Sequence, residues 1–167
     1  AEPRLGLGFA LLDRDHDSIH ERLAALEASG VELRAARLAP DTDKARVAAA
    51  IDAPDVRIVN ALMPEQHAGK GGVHYGRAGR IPGSCNVASR GLLDPKTNAL
   101  LPIDELRRRF GDAGLLGEER VIAYCGGGIA ASLTALALAA LGKDDVEVYI
   151  HSLQEWANDP DMPMEVG

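Results

Sequence analysis

The stretch AYCGGGIAASLTALALAALG, residues 123–142, places one cysteine between an apolar run and an alanine-rich run and follows it at once with three glycines. A cysteine that leaves a strand and enters a helix through such a turn sits where parallel sheets bind ligands, beyond the carboxyl ends of their strands. Gly126, Gly127 and Gly128 let successive N–H groups converge as an anion nest. The helix that follows adds the positive end of its dipole. A thiol in such surroundings ionises readily, and the thiolate is the nucleophile. The other reading is a buried structural cysteine beside a flexible turn, because cysteine is among the most buried residue types. The order strand, cysteine, three glycines, helix favours the nucleophile at Cys125. Cys85 enters a weak apolar run without that turn, so it is expected in the core.

The flanking sequence supports an α/β fold. Short apolar runs at residues 56–62, 121–125 and 146–150 read as buried parallel strands, with a weaker fourth at 84–88. Helical patterns lie between them. One begins near Asp41 or Thr42 as N-cap, and one starts with Pro102 and ends at Gly111. A third, residues 129–141, is apolar nearly all round and is closed by Gly142. Strands alternating with helices predict a parallel sheet flanked by helices on both faces. Residues 63–84, rich in glycine and carrying Lys70, Arg77 and Arg80, read as a long loop of the kind that often carries function.

Composition narrows the function classes. The 167 residues allow one domain with some chain to spare, and 46% hydrophobic with 26% charged residues is ordinary for a globular protein. A net charge of −7 argues against a protein that coats nucleic acid, while a local basic patch can still bind a small anion. Aromatic residues make up only 4%, so the core is expected to rest on Leu, Val, Ile and Ala. Two cysteines supply neither a disulfide framework nor a zinc set. No stretch reads as a signal peptide or a membrane span, and a cytoplasmic location without membrane contact is expected.

Other motifs point nowhere. GGGIAA, residues 126–131, formally fits a dinucleotide fingerprint, but that unit comes last in the chain and the next strand ends at His151 rather than an acid. No phosphate loop or serine elbow is present. His16 and His20 lie one helical turn apart and read as solvated side chains, and Trp156 reads as a packing residue on a short helix. The segment at residues 9–33 weakly echoes the order of the last twenty-odd residues: strand, His/Ser loop, helix, extended chain.

Three separated segments carry a family resemblance: AYCGGGIAASLTALALAALG, HYGRAGRIPGSCNVA and VYIHSLQEWANDPDMPMEVG. Together they resemble the rhodanese (sulfurtransferase) family, and most of all the second, catalytic half of tandem-domain thiosulfate and 3-mercaptopyruvate sulfurtransferases. The resemblance covers residues 40–167 and implies a rhodanese-like parallel sheet there. It makes residues 1–39 an N-terminal extension, read as the tail of an upstream half plus linker. It implies that Cys125 takes sulfane sulfur from a small anionic donor as a persulfide and passes it to a thiophilic acceptor such as cyanide or a thiol. The backbone amides of Gly126, Gly127, Gly128, Ile129 and Ala130 are then the persulfide cradle. No metal or organic cofactor is implied, and a second rhodanese half or another chain is expected to complete the cleft.

Departures from the family pattern bear on the donor. Thiosulfate enzymes commonly read Cys-Arg-x-Gly and mercaptopyruvate enzymes Cys-Gly-Ser/Thr-Gly, whereas here Gly126 and Gly127 carry no side chain. The usual Asp-x-Arg after the first strand is Asn60-Ala61-Leu62. His74, Tyr75, Arg77 and Arg80 are therefore the candidate substrate-anion contacts, with a solvated basic loop as the alternative. No arginine follows Cys125 closely, which disfavours a phosphate ester. A low-charge donor of the mercaptopyruvate kind is expected over thiosulfate. The rival function is a non-catalytic rhodanese-like binding or regulatory module.

Overall fold

The computed structural model describes residues 42–72 and 75–167. The N-terminal extension with its echo, His16, His20 and His74 lie outside the described residues. The sheet has four parallel strands in the order β2-β1-β3-β4: β1 (Val56–Asn60), β2 (Cys85–Asn86), β3 (Arg120–Tyr124) and β4 (Val146–Val148). Ile58 pairs with Ile122 and Ala123 with Val148, so β1 and β3 form the interior of the sheet.

Alternation along these strands builds two cores, because successive side chains point to opposite faces. Val59, Val121, Ala123, Val146 and Val148 face one apolar cluster. Helices α3 (Ile103–Asp112) and α4 (Ile129–Ala140) supply its other side with Leu106, Phe110, Ala131, Ala135 and Leu138. Val56, Ile58, Ile122 and Tyr124 face the second cluster, completed by α1 (Lys44–Ala50) and α5 (Ser152–Trp156) through Val47, Leu153 and Trp156. The expected sheet with helices on both faces is the observed one. Trp156 is fully buried, donates its indole N–H to the Pro163 carbonyl (2.8 Å), and meets Tyr149 edge-on.

Element ends differ from the sequence reading for local reasons. The N-cap of α1 is Asp43, whose carboxylate accepts the Arg46 N–H (2.8 Å), while the Thr42 hydroxyl turns to Glu147. Pro102 is the N-cap of α3 rather than part of its first turn, and the helix runs past Gly111 to Asp112. Strand β2 keeps only two residues. There Asn86 donates its side-chain amide to the carbonyls of Asn60 (3.0 Å) and Leu62 (2.8 Å), beside backbone bonds from Val87 to Asn60 (3.0 Å) and from Ser89 to Ala61 (2.9 Å). The long loop contains a short helix, α2 (Pro64–His67).

After Trp156 the chain returns as a strap across that loop. Arg80 and Glu165 exchange backbone hydrogen bonds (2.9 and 3.0 Å), and their side chains form an ion pair. Gly79 lies under the strap, where a Cβ would collide with the Glu165 carbonyl. The Gly83 N–H and then the Arg80 guanidinium hold the Glu165 carboxyl below the usual carboxylate range. A depressed folded-state value makes this contribution complete above the unfolded pKa, about 4.3. It is lost as pH falls through the lower folded value. Urea midpoints of the wild type and Glu165→Gln are accordingly expected to differ at neutral pH and to converge as the pH drops below about 4.

Candidate active site

Cys125 is the first residue beyond β3 and is 2% exposed. Its Sγ accepts the Gly128 N–H at 3.1 Å. Gly128, at φ +90°, turns the chain into α4, and a Cβ on it would stand 3.0 Å from the Ile150 carbonyl. The first residue of α4, Ile129, is 77% exposed, so the helix opens at the surface beside the sulfur. The N–H groups of Gly126, Gly127, Ile129 and Ala130 find no acceptor among the described residues. Cys125 and the five residues after it thus form one turn into α4, in which the Gly128 N–H is on the sulfur and the other four N–H groups have no acceptor among the described residues. Such a nest at a helix N-terminus suits an anionic sulfur.

A second segment holds this loop in shape. The N–H groups of Leu153 and Gln154, at the start of α5, donate to the carbonyls of Cys125 (3.2 Å) and Gly126 (2.9 Å). In a trans peptide the C=O and N–H point in opposite directions. Drawing these two carbonyls toward α5 therefore turns the Gly126 and Gly127 N–H groups the other way. Ser152 completes the brace: its hydroxyl accepts the Cys125 N–H (3.0 Å) and donates to the Tyr149 carbonyl (2.6 Å). Ser152 is fully buried and holds φ +49°, a left-handed conformation unusual outside glycine.

Residues 152–156, SLQEW within the last of the three segments that carry the family resemblance, have a physical content that the sequence did not disclose. Ser152 and Leu153 fix Cys125. The Gln154 carboxamide lies against Gly127, where a Cβ would stand 2.7 Å from its Oε1. Glu155 accepts the Tyr149 hydroxyl (2.6 Å), and burial together with that carboxylate raises the phenol's pKa. Ser152 and Gln154 were not singled out from sequence, because a serine or glutamine on a short polar helix carries no signal until β4 and the Cys125 loop are placed beside it.

The other candidates are dispersed. The Tyr75 ring covers Gly126 so closely that a Cβ there would fall within it. Arg77 donates to the carbonyls of Ala157 (3.1 Å), Asp159 (2.5 Å) and Met162 (2.8 Å). Arg80 is bonded to Glu165 and to the Gly167 carbonyl (2.7 Å). The structure therefore places both guanidinium groups on the C-terminal strap. Lys70 is exposed and has no ion-pair partner among the described residues. Asn60 is buried, and its Oδ1 caps the Leu62 N–H (2.8 Å). Cys85 is half-buried, and burial pushes its thiol up. Among the described residues no group of three His, Cys, Asp or Glu is placed to hold a metal, and no helix is long and apolar enough to cross a membrane.

The Ser152 brace predicts a graded response. Ser152→Ala leaves the buried Cys125 N–H without its acceptor and should lower stability by about 1–3 kcal/mol. Ser152→Gly loses the same bond but relaxes the left-handed backbone, so it should be the more stable of the two by about 1 kcal/mol. Urea denaturation of both variants measures the difference.

Comparison with known proteins agrees with this geometry. The family model described as "Rhodanese-like domain" matches residues 43–159. The chain is 40% identical over 89 residues to thiosulfate/3-mercaptopyruvate sulfurtransferase 1, mitochondrial, of Arabidopsis thaliana, covering 53% of this chain and 23% of that protein. It is 33% identical over 115 residues to the 3-mercaptopyruvate sulfurtransferase of Escherichia coli K12, covering 69% and 38%. It is 30% identical over 116 residues to the thiosulfate sulfurtransferase of Azotobacter vinelandii, covering 70% and 42%. These matches span less than half the length of each relative. In fold it is similar to the anaerobic ergothioneine biosynthesis enzyme of Chlorobium limicola, with a TM-score of 0.68 at 21% identity over 76% of this chain and 32% of that one. With the family model spanning most of the chain, including the Cys125 loop and its brace, the protein belongs to the rhodanese-like domain family.

Proposed function

We propose that this domain is a sulfurtransferase in which Cys125 carries sulfane sulfur as a persulfide. The observation that carries the reading is the loop itself: a buried sulfur with one N–H already on it and four neighbouring N–H groups without acceptors among the described residues. Sulfurtransferases among the relatives support the same reaction class. In the first step the Cys125 thiolate attacks the donor's outer sulfur, forming an S–S bond. With mercaptopyruvate the C–S bond breaks and its electron pair stays on carbon. That carbon takes the thiol proton to give pyruvate. With thiosulfate the S–S bond breaks and sulfite leaves with the pair. In the second step an acceptor such as cyanide takes the outer sulfur and restores the thiolate. The amide nest and the start of α4 stabilise the negative sulfur throughout. A low-charge donor is the favoured one. A second rhodanese half or another chain completing the cleft belongs to the same proposal.

One observation favours the rival reading, a module that binds without turnover: Arg77 and Arg80 are engaged by the strap rather than turned toward a substrate. Intact-protein mass spectrometry after separate incubation with 3-mercaptopyruvate and thiosulfate separates the two. The expected result is the gain of one sulfur atom, its loss on adding cyanide, and no gain in Cys125→Ser. A wild type that stays unloaded with both donors overturns sulfur loading by this chain alone and leaves the binding module or a half whose cleft a partner must complete.

A further inference from the structure

The two loop positions next to the sulfur have no side chains, yet the space beside them is filled. A Cβ at Gly126 would fall within the Tyr75 ring, and one at Gly127 would meet the Gln154 carboxamide at 2.7 and 3.1 Å. The phenol and the carboxamide therefore stand where residues 126 and 127 would otherwise project. They come from segments far apart in sequence and are fixed by one clamp: the Asn158 side-chain amide donates to the Tyr75 carbonyl (2.6 Å) and to the Gln154 carbonyl (2.9 Å). Gly76 packs against Ala157 behind them, its absent Cβ leaving room for that backbone at 2.9 Å. Tyr75 also leans on the apolar cluster that contains Leu153 and Trp156. The Tyr75 hydroxyl and the Gln154 carboxamide themselves have no hydrogen-bond partner among the described residues.

We infer that Tyr75 and Gln154 form the specificity-determining wall of the Cys125 site, recognising the non-sulfur end of the donor by neutral hydrogen bonds. The inference rests on the sulfur-transfer reading and names the donor class: a thiol-bearing carbonyl or carboxylate compound of at most single charge, such as 3-mercaptopyruvate. A phenol hydroxyl donates to a keto or carboxylate oxygen, and a carboxamide both donates and accepts. Neither supplies the cation that dianionic thiosulfate needs, and the guanidinium groups of Arg77 and Arg80 are held on carbonyls and Glu165. Binding that is specific to one donor then arises from side chains outside the cysteine loop, with the loop itself left to the transferred sulfur.

The test is steady-state kinetics of the wild type, Tyr75→Phe and Gln154→Lys with 3-mercaptopyruvate and with thiosulfate, cyanide being the acceptor, alongside the persulfide mass of each variant. Tyr75→Phe keeps the ring over Gly126 and removes only the hydroxyl. It is expected to lower kcat/KM for mercaptopyruvate about tenfold, the loss of one hydrogen bond to a charged group, with thiosulfate little changed. Gln154→Lys adds a cation at an exposed position and is expected to raise the thiosulfate-to-mercaptopyruvate ratio of kcat/KM about tenfold. Variants that load sulfur normally and leave that ratio within about twofold of the wild type overturn the wall while the sulfur carrier stands. A wild type that loads no sulfur from either donor overturns both.

Discussion

Two hydrogen bonds set the direction of the first two amides after Cys125: those from the Leu153 and Gln154 N–H groups to the carbonyls of Cys125 and Gly126. A tripeptide of glycines has little conformational preference of its own. Without an external constraint its amides would point into solvent in many ways, and the nest would exist only as a minor state. The short helix α5 removes that freedom from outside the loop. It can do so because Trp156, four residues after Ser152, is fully buried in the second core cluster and anchors the helix to the sheet. The left-handed backbone of Ser152 is the local cost of delivering a hydroxyl to the Cys125 N–H from that direction.

The same dependence explains how much could be read before the structure. Strands β1, β3 and β4 were legible because most of their side chains are buried in one core or the other and apolar, and Cys125 stood out because it lies between a strand and three glycines. Strand β2 was overstated: the Ser84 N–H (3.2 Å) and hydroxyl (2.7 Å) both turn back to the Ile81 carbonyl, so Ser84 belongs to the preceding turn and not to the strand. Helix boundaries moved by a residue or two where caps competed, as with Thr42 and Asp43. The brace and the wall were invisible because they join residues from about 25 to 80 positions apart. No periodicity reports that Tyr75 will lie on Gly126 or that Asn158 will hold two carbonyls together.

Arginine shows the limit of reading charge from sequence. Arg77 and Arg80 stand in a glycine-rich loop, a setting that suggests anion binding, yet each finds several acceptors in the returning C-terminal segment. A guanidinium group carries five donors in a fixed fork, and backbone carbonyls at a chain reversal satisfy that geometry as well as a ligand would. The long loop is ordered against the strap by these contacts, and that order is what puts Tyr75 in place.

The lengths of the strands carry a separate consequence. The interior strands β1 and β3 have five residues each, whereas the outer strands β2 and β4 have two and three. An unpaired outer strand is a template on which another polypeptide can extend the ladder, and its danger grows with the number of free backbone groups in a row. Here the described sheet tapers at both margins, so each outer strand offers only a short row of free backbone groups. Among the described residues the sheet margins are therefore a poor template for strand addition, the common route to fibrils.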